Sequence, residues 1–322
     1  MADYKDIKGG TVQNFAGDPP APIAGQVWYD STAIAFQYRS SNPTGAWASG
    51  GTMNTGRYAP GGTGTQTSAI AFGGRISPPN AIQDVAETYN GSTWTEVADL
   101  NTARLHLGST TTGSATVALA FGGSGPTANT EIWDGSSWTE VGNLNTARQQ
   151  TAGCGTTTAA LSVGGSSAAT ESYNGTSWTE LADINTTRLA GTALGTVPSA
   201  ILAGGEEPAS PYAIYANTES WNGSSWTEVG DLNAGGHVAG GAGGVSSGMI
   251  FGGNRPGRVA ITEKWNGTGW TEVGDLNVAV AYPAGAGTTA AGLSFGGDLG
   301  PATTANSEEW TEPIETSETI TD

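Results

Sequence analysis

Cysteine occurs once in this chain of 322 residues, as Cys154, so no disulfide can form within it. Lysine and arginine total 11 against 29 aspartates and glutamates, a formal net charge of −18. Such a chain lacks the clustered positive charge that binding nucleic acid through its phosphates requires. It is equally unsuited to docking on anionic membranes. No stretch approaches the ~18 consecutive apolar residues of a membrane-spanning helix. The opening MADYKDIKGGTVQNFAGDPP has no apolar run, so no signal peptide is expected and synthesis as a soluble cytoplasmic protein is. Histidine occurs only twice, as His106 and His237, and two imidazoles fall short of the three or four ligands of a zinc or copper site. No metal and no cofactor is therefore expected.

What remains is aromatic and glycine-rich. The chain holds 11 Trp, 9 Tyr and 6 Phe, enough to bury large apolar areas, and 51 Gly without a period of three. Abundant Gly and Thr with 12% charged residues suits many short strands and tight turns.

One phrase recurs: YNGSTWTEVADLNTAR, WDGSSWTEVGNLNTAR, YNGTSWTELADINTTR, WNGSSWTEVGDLN and WNGTGWTEVGDLN. Three landmarks run with it. A diglycine follows a short apolar run at Gly73, Gly122, Gly164, Gly204, Gly252 and Gly296, spaced by 49, 42, 40, 48 and 44 residues. A Glu-x-aromatic follows, from Glu87/Tyr89 to Glu308/Trp310. A tryptophan comes next: Trp94, Trp138, Trp178, Trp226 and Trp270. This period and strand-like content predict propeller blades of four strands each, rather than a helical solenoid. In the first, strand a is expected from about Arg57 to Gln66, b over Ser68 to Gly74, c over AETYN and d over TWTEV. Asn90-Gly91 predicts the c–d hairpin, on the premise that both central residues take positive φ. The N-x-[ST] sequons at these sites are read as turns, because one position serves the same hairpin each time.

Six diglycines against five tryptophans leave one tryptophan missing. Trp47 supplies it, standing to Asn54-Thr55-Gly56-Arg57 as Trp94 stands to Asn101-Thr102-Ala103-Arg104. The strand around Trp47 is therefore expected beside Trp310, closing a ring of six and removing an open sheet edge. The predicted fold is an all-β, six-bladed β-propeller closed by this N-terminal outer strand. It spans residues 46–312, between an attachment segment at 1–45 with a small hairpin in VWYDSTAIAFQYRS and an acidic tail at 313–322.

The diglycine, the Glu-x-Tyr/Trp and the later Trp resemble kelch repeats, which build β-propellers; the match covers about Ala46 to Thr311. The segment GQVWYDSTAIAFQYRS followed by WASGGTMNTGR is similar to the start of kelch-like virion proteins of tailed bacteriophages. That resemblance implies a non-enzymatic structural protein of the virion, of tail-fibre or baseplate type. It would attach to other virion proteins through the N-terminal segment and present the propeller to host-surface glycan or receptor. Two other readings stand beside it: a purely architectural adaptor or capsid decoration, and a lectin-like or glycan-active propeller.

At fixed positions in every repeat, Trp47, Trp94, Trp138, Trp178, Trp226, Trp270 and Trp310 are expected to pack the core rather than to stack sugars. Arg57, Arg104, Arg148 and Arg188 begin strand a, with Gly236 and Val280 in blades five and six, and should pair with the repeated Glu. Cys154 is expected as a small core residue, and no catalytic dyad is evident. The b–c connections vary in length and are long in blades one and four. Variable loops on a rigid frame are where binding concentrates. Tyr212, Tyr215, Arg75, Arg255 and Arg258 are the candidate ligand-binding residues on that face.

Overall fold

The computed structural model of the chain describes residues 12–17, 19, 26–40, 45–209, 213–312 and 316–320. Every regular element among them is a β-strand. Two compact units separate, Ala46–Thr311 on one hand and Met1–Gly45 with Glu312–Asp322 on the other.

In the smaller unit, Val27–Asp30 pairs antiparallel with Ala35–Ser40, with Asp30 opposite Ala35, as the hairpin reading expects. The Asp30 carboxylate accepts hydrogen bonds from the amides of Gly17, Thr32 and Ala33 at 2.8–3.1 Å, which fastens the turn and lowers its pKa. Two strands alone are marginal in water. Here Gln13–Phe15 adds parallel to Val27–Asp30, and Thr316–Thr319 adds antiparallel to Ala35–Ser40. The last segment, expected as a separate tail, thus supplies an edge strand.

The larger unit contains six four-stranded antiparallel sheets, plus a two-residue pairing at Arg75–Ile76 and Ala81–Ile82. The first sheet runs Gly61–Thr65, Ser68–Phe72, Ala86–Tyr89, Trp94–Val97. The sixth runs Ala284–Gly287, Gly292–Phe295, Ser307–Thr311 and takes its fourth strand, Ala46–Ser49, from the other end of the unit. Trp310 stands opposite Trp47 in that pairing.

The first strand of each sheet lies against that of the next, and the first strand of the sixth sheet against that of the first. Two backbone circuits run along the same path. The amides of Ala59, His106, Gln150, Ala190, Val238 and Tyr282 each donate to the carbonyl of the preceding member, and Ala59 to Tyr282, at 2.8–3.2 Å. The second glycine of each diglycine donates to the following repeat: Gly74 to Arg104, and so on to Gly297, which returns to Arg57, at 2.8–3.1 Å.

Both circuits need unusual backbone. The six residues of the first circuit all have φ of 50–59° though none is glycine. A left-handed residue interrupts a strand. This is why the first strand begins at Gly61, not near Arg57 as predicted. In the second circuit both glycines take positive φ, and a Cβ on Gly73 would sit 2.5 Å from the Arg104 carbonyl oxygen.

Side chains cement the outer part. Each sheet packs its two aromatics together, stacked in Tyr89 with Trp94 at 4.9 Å and tilted in the other five. Phe72, Phe121, Phe251 and Phe295 each reach the outer Trp of the following sheet, at 4.8–5.0 Å between centroids. The Nε1 of Trp178, Trp226, Trp270 and Trp47 donates to Thr130, Thr170, Thr218 and Thr262 of the preceding sheet, at 3.0–3.1 Å. All seven repeat tryptophans are buried.

The Asn-Gly turns are built differently from the expectation. Only the glycine has positive φ, 92° at Gly91. The connection is four residues long: Asn90 N donates to the Thr93 carbonyl, and the Asn90 side-chain oxygen accepts from the amides of Ser92 and Thr93. The asparagine is there for its carboxamide, which caps the turn, and Asp134 does the same with its carboxylate.

Candidate functional site

The recurring Glu anchors the chain where it enters each sheet. Glu131 accepts from the Asn101 amide and carboxamide, both at 2.8 Å, and pairs with Arg104 at 2.7 Å. Arg57–Glu87, Arg148–Glu171 and Arg188–Glu219 repeat the pair, all with both partners buried. The tie runs from linker to sheet.

The fifth repeat has Gly236 in place of the arginine, and Arg255 fills the space instead. Arg255 Nη2 lies 2.6 Å from Glu263 Oε1, an ion contact off the line of a hydrogen bond, and its side chain is 8% exposed. A Cβ on Gly236 would meet Arg255 Nε at 2.8 Å. Arg255 is thus removed from the candidate ligand-binding set, because a buried carboxylate already holds it. Arg258 is 38% exposed and pairs with Asp298 at 2.7 Å. Tyr215 is half-buried, with the Arg188 guanidinium 5.6 Å from its ring centroid. Tyr212 lies outside the described residues. Arg75 differs from the others. Seven arginine side chains are described, and Arg75 is the one among them with no carboxylate partner.

Arg75 lies near a cluster that the sequence reading did not assemble. Its backbone pairs with Tyr58 in both directions at 2.9 Å. Around the first hydrogen-bond circuit lies a concavity of about 100 Å³, lined by Ala59, His106, Gln150, Ala190, Val238 and Tyr282 among others. His106 stacks on Tyr282 at 5.3 Å, and Tyr58 stands 5.6 Å from Tyr282 and 6.4 Å from His106. Burial, with the nearby Arg75 charge second, pushes the His106 imidazole down to about 4. It is therefore neutral at pH 7. Burial also raises the Tyr282 phenol, with the negative charge of Glu206 adding to it. His106 Nε2 and Arg75 Nε are both buried and have no hydrogen-bond partner.

The variable loops open on the same side as this mouth. Bridges join Tyr58 to Arg75, Leu189 to Glu206, His237 to Asn254 and Ala281 to Asp298, each tying a residue of the mouth side to a loop. His237 falls one residue earlier in its repeat than His106 does, and its Nδ1 lies 3.0 Å from Glu206. Among the described residues no three His, Cys, Asp or Glu gather as a metal site. Cys154 is fully buried, and burial pushes its thiol up to about 12.

The mouth therefore offers aromatic faces and a neutral imidazole, with the Arg75 guanidinium close by, and these together can stack on and hydrogen-bond a ligand. The signal that could have located it was positional: each lining residue stands two places after the arginine position of its repeat. No protein-family model matches this chain, and no curated protein matches it.

Proposed function

We propose that Ala46–Thr311 is a six-bladed β-propeller of the kelch type, and that the protein is a non-enzymatic structural component of a tailed-phage particle. In this reading the smaller unit attaches it to other virion proteins, and the loop-bearing face of the propeller recognises a glycan on the host surface. Support for the propeller comes from the two hydrogen-bond circuits that return to their own start. Support for recognition comes chiefly from one observation. The loops that differ most between repeats are bridged to residues beside the mouth, at Tyr58–Arg75 and Leu189–Glu206, on an otherwise repetitive frame. Rigid scaffolds with variable loops concentrate binding in this way. The virion assignment rests on the N-terminal resemblance alone.

Mass spectrometry of purified virions tests the location, and absence of the protein from particles removes the assignment. Host-cell binding by the purified protein, with the loops at 75–85 and 206–217 shortened, tests recognition. Retained binding together with lost assembly would favour the adaptor reading.

A further inference from the structure

We propose that the mouth formed by Tyr58, His106 and Tyr282 with Arg75 is a subsite for one terminal carboxylated sugar, such as a uronic or sialic acid. This rests on the recognition reading above and narrows its ligand class.

Charge selects the carboxylate. In a chain of net charge −18, a described arginine without a carboxylate partner is an exception. The other six each hold one. A guanidinium binds a carboxylate through two parallel N–H donors and is suited to anions with that planar geometry. Arg75 Nε is moreover buried and without an acceptor, a cost that a ligand carboxylate would relieve. The acidic groups nearest the mouth already have cationic or imidazole neighbours. Glu206 lies beside His237 and Asp298 pairs with Arg258.

Shape selects the sugar and limits its size. Tyr58, His106 and Tyr282 bring three rings within 6.4 Å of one another at their centroids. Aromatic faces take the C–H face of a pyranose, and the free His106 Nε2 can accept from a ring hydroxyl while the imidazole stays neutral. The concavity, about 100 Å³, is well below the roughly 300–1,000 Å³ of sites that enclose a drug-sized ligand. It accommodates a single terminal group, with the rest of the glycan running out among the loops.

The test is calorimetric titration of the full chain with a glucuronate-terminated trisaccharide, a sialyl trisaccharide and the glucose-terminated counterpart. An acidic glutamate peptide serves as a further probe. At least one carboxylated sugar should bind at least tenfold more tightly than the neutral one. Arg75→Met should remove that preference. Unchanged near-ultraviolet dichroism and melting temperature show that Arg75→Met is folded. Equal binding of charged and neutral sugars, an unaffected Arg75→Met, or binding of the peptide alone overturns the proposal. If the protein still binds host cells in those cases, the recognition reading survives its loss. Absence of both sugar and cell binding sinks the two together.

Discussion

Arg255 reaches Glu263 through the space that Gly236 leaves empty, 2.6 Å between charged atoms, with Glu263 wholly buried. Four other repeats make the same pair with an arginine from the linker. One chemical requirement is met by two routes, so the carboxylate, not the arginine's place in the chain, is the invariant.

Arg255→Met should therefore be costly. It strands a buried carboxylate, which typically costs roughly 3–5 kcal/mol. Adding Gly236→Arg to that variant should restore most of the loss, because the second arginine enters by the common route. Thermal melts of the two proteins check this, and an Arg255→Met protein that melts like the parent would show that Glu263 needs no cation.

The tryptophan–threonine bonds offer a gain instead. Where four sheets place Thr, the first places Ala86, and the Trp138 Nε1 opposite it is buried without a partner. Ala86→Thr should supply the acceptor and raise stability by about 1 kcal/mol. Thr170→Ala, which orphans Trp226, should lower it by about as much or more. Denaturant midpoints measured side by side decide the matter.

A pH dependence follows from His106. Its pKa stands near 4 in the folded protein against 6.5 as its ordinary value. Between those values the unfolded chain binds the extra proton, so stability falls as the pH drops from about 6.5 toward about 4. The full loss from this group is on the order of 3 kcal/mol. His106→Gln should flatten that stretch of the stability–pH curve; an equally steep curve in the variant would place the effect elsewhere.

The Trp47–Trp310 pairing predicts where the larger unit is most sensitive to truncation. Trp47 packs on Phe251 at 4.8 Å and donates to Thr262, both of the neighbouring sheet. Trp47→Ala should cost about 3–5 kcal/mol, as large aromatic truncations in cores do. Trp310, fully buried in the intact protein, should then emit at longer wavelength. An unshifted emission with an unchanged midpoint would mean that the seam holds without Trp47.

Much of this fold was legible because the packing demands the same residue each time. Each diglycine serves a carbonyl of the next repeat, each Glu a linker, each Trp the sheet before it, so the phrase repeats. The partner of Trp310 could be found by counting because the offset from Trp47 to Arg57 matches that of a complete repeat. The mouth kept its position in each repeat but not its residue type. Its backbone is fixed by hydrogen bonds between main-chain atoms, which leave the side chain free, and the six positions hold Ala, His, Gln, Ala, Val and Tyr. Arg255 was misread for a related reason. It sits in a loop by sequence, and only the missing Cβ of Gly236 reveals where it goes.

Because the sixth sheet borrows Ala46–Ser49, its outer strand leaves the ribosome long before the strand it pairs with, Ser307–Thr311. At the usual ~5–20 residues per second the interval is on the order of 10–50 s. During translation Trp47 has no mate, and the seam it forms is the last junction of the larger unit that can be made.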